Sequence, residues 1–219
     1  MSSGIEAVRT ADGSMTLYAP AFGEHYHSIH GALQESQHVF MQAGWQQVQA
    51  DPVSVFEMGF GTGLNALLTL LAAGGRTVQY TAVEAFPLAG DQWRSLNYAG
   101  LLGPAGAAGL EALHQAPWGQ ATEIRPGFTL HKAACRLEDF EPAAQFDLVY
   151  YDAFAPGSQP ELWTEAVMAR IAAWMRPGAC FVTYCAKGSV RRALLAAGLQ
   201  AERLPGPPGK REMLRAWKR

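Results

Sequence analysis

Val53-Ser54-Val55-Phe56-Glu57-Met58-Gly59-Phe60-Gly61-Thr62-Gly63-Leu64-Asn65 (VSVFEMGFGTGLN, residues 53–65) decides how this 219-residue chain folds. The apolar run predicts a strand over 53–58, and ALLTLLAA behind the glycines predicts a helix from about 64 to 73. Glycine weakens both kinds of element. Three of them at the junction mark a turn that needs unusual backbone angles, or a place where something approaches the main chain closely. In open α/β sheets ligands sit beyond the carboxyl ends of the strands, where strand order reverses, and this turn occupies such a position.

Outward from that unit, strand-like and helix-like runs alternate. TVQYTAVEA (77–85) predicts a second strand and a helix follows around 88–101; FTLHKAAC (128–135) and FDLVYYDAF (146–154) are further strands. PELWTEAVMARIAAWM (160–175) spaces Leu162, Val167, Ile171, Trp174 and Met175 along one helical face. ACFVTYCA (179–186), a helix over 189–198, and two closing strands in LQAERLPG and REMLRAW complete the series. Such alternation implies a mainly parallel sheet with helices on both faces. The closing strands are joined by a short PGPPGK turn rather than a helix, which predicts an antiparallel pair at the sheet edge. GLLGPAGAAG (100–109) and APGSQP (155–160) read as surface loops. Residues 1–50 do not follow the alternation, and EHYHSIHGALQESQHVFMQAG (24–44) reads as a helix-containing cover. The expected organisation is an N-terminal extension, 1–50, packed over the ligand site, and one α/β domain, 51–219.

Hydrophobic residues make up 49% of the chain and charged ones 16%, which is ordinary for a soluble globular protein and not for a disordered one. No apolar run is long enough to span a bilayer, and the first residues lack the layout of a secretory signal. Cys135, Cys180 and Cys185 form neither a CxxC pair nor an even disulfide set, so a reduced, cytoplasmic protein is expected. His25, His27, His30 and His38 cluster in sequence but match no established metal-ligand spacing; no metal is expected. Net charge is −2, unevenly spread: residues 187–219 hold nine of the 17 Lys and Arg but only Glu202 and Glu212 of the 19 acids. A basic end on an acidic body suits a nucleic-acid partner, and suits a solvated surface equally.

Two nucleoside cofactor classes compete for the glycine turn. Dinucleotide folds use GxGxxG, whose third glycine permits close helix–strand packing, and Leu64 stands in that place here. The spacing Gly59-x-Gly61-x-Gly63 after Glu57 is the form typical of S-adenosylmethionine (SAM) methyltransferases. Glu84, ending the second strand, is placed to accept hydrogen bonds from ribose hydroxyls in either class. Asp152 leaves the sheet beside the same crevice. Methyl transfer from a sulfonium is an in-line displacement in which the protein aligns the reactants, and a carboxylate there can orient an ammonium or take its proton. Phe154 and Pro156 offer an apolar wall against which a base can stack.

Together these residues resemble the MnmD-type methyltransferase unit of the bacterial enzymes that complete 5-methylaminomethyl-2-thiouridine at the tRNA wobble position. The likeness rests on Glu57-x-Gly59-Phe60-Gly61-Thr62-Gly63-Leu64-Asn65, Glu84-x-Phe86-Pro87-Leu88, Asp152-x-Phe154-Ala155-Pro156, Pro160-Glu161-Leu162-Trp163-Thr164, Val190-Arg191-Arg192 and Lys210-Arg211-Glu212-Met213-Leu214. Tyr26-x-Ser28 and Glu35-Ser36-x-x-Val39-Phe40 fit the segment before the sheet, so the match runs over roughly 24–215. The resemblance implies a class I SAM-methyltransferase (Rossmann-like) three-layer sandwich with a seven-stranded sheet, and SAM-dependent N-methylation of the 5-aminomethyl group of wobble uridine 34. It assigns Glu57, Gly59, Phe60, Gly61, Thr62, Gly63, Asn65, Glu84, Tyr26 and Ser28 to SAM and Asp152 to the reacting amine. It gives Phe154, Pro156, Lys187, Arg191, Arg192, Lys210 and Arg211 to the tRNA anticodon arm.

Two departures stand out. Where relatives end the third strand in Gly-Asp, able to meet the adenine amine, this chain has Ala134-Cys135, leaving Glu138 or Asp139 as substitutes; and the usual DAFAPAKNP is here DAFAPGSQP. Many relatives also carry a flavin-dependent oxidase that prepares the aminomethyl substrate. No second domain fits in 219 residues, so methylation alone is expected. Three rivals share parts of this pattern: an aminopropyl transferase, whose usual GGGDG-like loop is missing; a dehydrogenase, which needs glycine at position 64; and a catalytically idle RNA-binding module.

Overall fold

The computed structural model describes residues 4–219. β1 (Glu6–Arg9), β2 (Met15–Ala19) and β3 (Glu24–His25) form a small antiparallel sheet. The chain then enters α1 (Ala32–Ser36), which runs into a π-helical stretch, Gln37–Gln42. The N-terminal cover contains the expected helix and, in addition, a small sheet, whose strands are too short to show a clear alternation.

The main sheet begins at β4 (Val53–Met58), followed by α2 (Leu64–Ala72), β5 (Val78–Val83), α3 (Gly90–Arg94), α4 (Tyr98–Leu101), α5 (Gly103–Gln115), β6 (Ala121–Arg125) and β7 (Phe128–Ala133). After β8 (Phe146–Tyr151) come α6 (Glu165–Trp174), β9 (Met175–Thr183), α7 (Gly188–Ala196), β10 (Leu199–Pro205) and β11 (Glu212–Lys218). Strand order is β10-β11-β9-β8-β4-β5-β7-β6. The five central strands from β9 to β7 are parallel, while β6, β11 and β10 pair antiparallel. The sheet has eight strands rather than seven: β6 folds back on β7 through Gly127, whose φ of +81° closes the turn. Its half-exposed ATEIR lacks the apolar run that marks the central strands.

β4 shows why the sheet is a middle layer. Val53 and Val55 enter the core beneath α2, α5 and the 37–42 stretch, while Phe56 and Met58 enter the opposite core beneath α6 and α7. A strand buried on both faces reads as a continuous apolar run, the pattern of parallel sheets. Residues 100–109, expected as a loop, instead contribute the start of α5. Pro104 sits in the first turn, where its missing N–H costs nothing. Gly109 lets the helix approach α2: a Cβ there would stand 2.9 Å from Leu67 Cδ1. The expected helix over 160–175 is broken at Thr164, whose side chain accepts from Val167 N–H (3.3 Å) and caps α6 after a 3₁₀ turn at Pro160–Trp163. The helix expected around 88–101 is divided into α3 and α4. Among the described residues no helix is long and apolar enough to cross a membrane.

Candidate active site

Strand order reverses at β4, with β5 on one side and β8 on the other, and Met58 pairs with Tyr151. The next residues, Gly59 and Asp152, therefore leave the sheet side by side. Asp152 N–H donates to Met58 carbonyl (3.0 Å), and a Cβ on Gly59 would stand 2.9 Å from Asp152 carbonyl oxygen. Gly59, Gly61 and Gly63 have φ of +87°, +46° and +74°, a region that side chains strain to enter. Gly61 passes beneath Tyr26, whose Cδ1 lies 3.0 Å from the position of a Cβ, and Gly63 caps α2.

Glu84, ending β5, holds the loop. Its Oε2 accepts from Gly61 N–H (2.9 Å) and its Oε1 from Phe86 N–H (2.8 Å). Burial raises its pKa, and the donated hydrogen bonds pull it back. Each carboxylate oxygen keeps a lone pair for a further donor such as a sugar hydroxyl. The far side is braced by His114, whose Nε2–H donates to Thr62 carbonyl (3.0 Å) and whose ring stacks on Trp93 at 4.5 Å. Burial holds that imidazole neutral, its pKa near 4.

Two adjoining cavities open above these strand ends. The first, about 180 Å³, is lined among others by Tyr26, Gly59, Phe60, Gly61, Thr62, Asn65, Glu84, Phe86, Glu138, Asp152 and Phe154. The second, about 310 Å³, is lined among others by Glu24, Tyr26, His27, Ser28, Glu35, Asp152, Phe154, Tyr184 and Lys210. Tyr26, His27, Asp152, Ala153 and Phe154 line both. Asp152 thus stands between a crevice floored by glycines and a chamber walled by acids. Burial pushes its pKa up to about 7, with Glu35 adding to the rise while the Asn65 hydrogen bond and Lys210 oppose it. Asn65 Nδ2 donates to Asp152 Oδ2 (2.8 Å).

The loop after β8 is held from several directions. Glu24 accepts from Ser158 Oγ (2.7 Å) and Ala155 N–H (3.3 Å), Tyr184 hydroxyl donates to Ala153 carbonyl (2.8 Å), and Trp163 Nε1 donates to Phe154 carbonyl (2.8 Å). Phe22, from the turn between β2 and β3, stacks on Phe154 at 4.7 Å and meets Phe86 at 5.6 Å, roofing the first cavity.

Several expected site residues lie elsewhere. Glu57 does not line either cavity: it is wholly buried on the α2 side of β4, neither carboxyl oxygen is bonded, and burial together with the nearby Asp152 charge holds its pKa well above the carboxylate range. A strand alternates faces, and position 57 falls on the inner one. Gly63 shapes the loop without facing the crevice, and Ser28 belongs to the second cavity. Pro156 lines neither. Lys187, Arg191 and Arg192 sit at the start of α7 and Arg211 on the β10–β11 connection, outside both cavities. Lys210 is inside one: its Nζ lies 2.5 Å from Glu35 Oε1 and 3.8 Å from the centre of the Tyr184 ring. Of the two acids offered in place of the usual adenine contact, Glu138 lines the first cavity and Asp139 does not; Cys135 is not part of its wall.

Glu24 and Tyr184 were missed, and His27 was noticed only as one of a histidine cluster; all three line the second cavity. Their roles depend on the N-terminal strands folding back over the sheet, and nothing in local spacing announces that. Among the described residues no group of three or more His, Cys, Asp or Glu is arranged to hold a metal ion.

Comparison with known proteins bears on this geometry. Residues 121–219 match the family described as S-adenosyl-L-methionine-dependent methyltransferase. The chain is 31% identical, over 96% of its length, to the tRNA 5-methylaminomethyl-2-thiouridine biosynthesis bifunctional protein MnmC of Paraburkholderia xenovorans, of which it covers 34%. It is 33% identical, over 89% of its length, to the protein of that name from Pseudomonas aeruginosa, of which it covers 32%. The chain spans about a third of the length of these relatives. The crystal structure of MNMC2 from Aquifex aeolicus matches with a TM-score of 0.77 at 25% identity, over 98% of this chain and 70% of that one. The resemblance read from the motifs is borne out, and the fold is the class I SAM-methyltransferase fold.

Proposed function

We propose that this chain transfers a methyl group from SAM to the primary amine of a 5-aminomethyl group on wobble uridine of tRNA, giving 5-methylaminomethyluridine or its 2-thio form. The observation that carries this reading is Asp152, shared by the glycine-floored crevice and the acid-walled chamber. The crevice fits the donor: Gly59 and Gly61 present bare backbone, Glu84 faces it with lone pairs to spare, and Glu138 stands at its wall. In this reading the ribose binds Glu84, the amino-acid tail lies over Gly59 and Gly61 ahead of α2, and Phe22 and Tyr26 cover the site.

SAM supplies an electrophilic methyl group. Asp152 holds the acceptor nitrogen in line and takes a proton from its ammonium form, freeing the electron pair that makes the nitrogen–carbon bond. With a pKa near 7, its carboxylate is available as an acceptor at neutral pH without being a strong base. Phe154 and Tyr26, meeting at 5.1 Å, form an aromatic wall for the base. Lys187, Arg191, Arg192 and Arg211 are the side chains we assign to anticodon-arm phosphates. A reaction on tRNA places the enzyme in the cytoplasm.

The test is incubation with labelled SAM and tRNA from cells lacking the modification, followed by nucleoside analysis. Label in 5-methylaminomethyl-uridine species is the expected result; label in another nucleoside, or none, would contradict the reading.

A further inference from the structure

The resemblance gave Lys210 to the tRNA anticodon arm, among phosphate contacts. Its ammonium instead faces the second cavity, 2.5 Å from Glu35 and over the face of Tyr184. Glu35 is a built partner: it is 4% exposed, its other oxygen accepts from Ser28 N–H (2.7 Å), and it is carried on α1 beneath the covering strands. Tyr184 is fixed by its hydroxyl bond to Ala153, the neighbour of Asp152. A buried carboxylate and an aromatic face converging on one point are the two elements that recognise a desolvated cation. The point lies in the cavity that Asp152 shares with the crevice, and the group occupying it is a primary alkylammonium.

We propose that Lys210 is an internal stand-in for the acceptor amine: Glu35 and Tyr184 form a cation subsite for primary alkylammonium groups, which the incoming substrate takes over from Lys210. This rests on the amine-methylation reading above and identifies the groups that would select the acceptor. On entry the substrate ammonium pairs with Glu35 while Lys210 withdraws towards solvent, so no charge is left buried without a partner. Transfer then requires the bound ammonium to lose one proton to Asp152. Its freed electron pair forms the nitrogen–methyl bond, and the broken sulfur–methyl bond leaves its pair on sulfur as a neutral thioether. The exchange also explains selectivity: an uncharged acceptor has no means of displacing Lys210, and leaving Glu35 buried and unpaired would penalise it.

The test uses n-butylammonium as the probe. Lys210→Met keeps an unbranched side chain one atom shorter and removes the ammonium. It should bind the probe roughly tenfold or more tighter than the unaltered protein. Adding Glu35→Gln should abolish that gain. A Lys210→Met protein that binds no more tightly, or a gain that survives Glu35→Gln, would overturn the proposal. Should Lys210→Met not fold, side-chain ¹⁵N spectra of the unaltered protein decide the matter. Saturating probe should move the Lys210 ammonium signal to the position of exposed lysines, and an unmoved signal under saturation overturns the subsite. If the probe results hold while tRNA receives no methyl group, the subsite stands and the failure belongs to the tRNA reading.

Discussion

Asp152 and Glu57 are two carboxyl groups near one strand end with opposite settings. Asp152 keeps an Asn65 hydrogen bond and a view of both cavities, and its pKa is raised to about 7. Methyl transfer should therefore rise with pH through about 7 as the carboxylate forms, and Asp152→Asn should lose both the activity and that limb of the profile. A pH-independent rate across that range would remove Asp152 as the proton acceptor. Glu57 is buried without a bonded oxygen, and its polar neighbours are Tyr80 and Asn65. Its folded-state pKa is raised, so above the ordinary carboxylate pKa the native state holds a proton that the unfolded chain has released. That contribution to stability is present at low pH and lost as pH rises towards the raised value. Glu57→Gln, which is neutral at every pH, should flatten this decline while leaving the fold intact, as thermal unfolding of both proteins from pH 4 to 8 would read. Parallel curves would mean that Glu57 is ionised and paired in solution.

At the scale of elements, the strand–glycine–helix unit was legible because its signal is local. An apolar run, three glycines and a helix-forming run lie within about twenty residues, and each glycine proved to have positive φ. The position of Asp152 was legible for the same reason, as the residue after an apolar strand. What escaped was set by partners distant in sequence. α5 was concealed by its glycines, which argue against a helix, although one of them, Gly109, is there to meet α2. β6 was concealed because a half-exposed edge strand carries no continuous apolar run. Glu57 was assigned to the cofactor by motif, although strand alternation alone turns it to the inner face. The close fit of β4 and β8 gives a prediction: Gly59→Ala forces a Cβ to within 2.9 Å of Asp152 carbonyl and strains a φ of +87°. A left-handed side-chain residue costs about 1–2 kcal/mol by itself. Displacement of Asp152 should reduce turnover more than it reduces folding stability. Full activity in Gly59→Ala would show that the two strand ends are not rigidly coupled.

Across the whole molecule, charge separates into internal and external parts. The basic C-terminal end suited a nucleic-acid partner and a solvated surface equally, but four of its nine cations are engaged within the protein. Lys210 pairs with Glu35, Arg215 with Glu202 and Arg203 with Glu212, while Lys218 donates to Ala172 and Met175 carbonyls. Among the described residues Lys187, Arg191, Arg192, Arg211 and Arg219 form no ion pair, and the first four are the cations we assign to a polyanion. Arg191→Ala with Arg192→Ala should weaken tRNA binding and lower the slope of log K against log salt by about two, one unit per lost phosphate contact. An unchanged slope would remove them from the interface. The account as a whole turns on one arrangement: a sulfonium nucleoside lying over Gly59 and Gly61, its sugar on Glu84 and its methyl group facing Asp152. Calorimetric titration of SAM into the unaltered protein, Glu84→Ala and Asp152→Ala tests it most directly. The expected result is one site in the unaltered protein, its loss in Glu84→Ala, and its retention in an inactive Asp152→Ala. Binding of NAD in place of SAM, or SAM binding indifferent to Glu84, would contradict it.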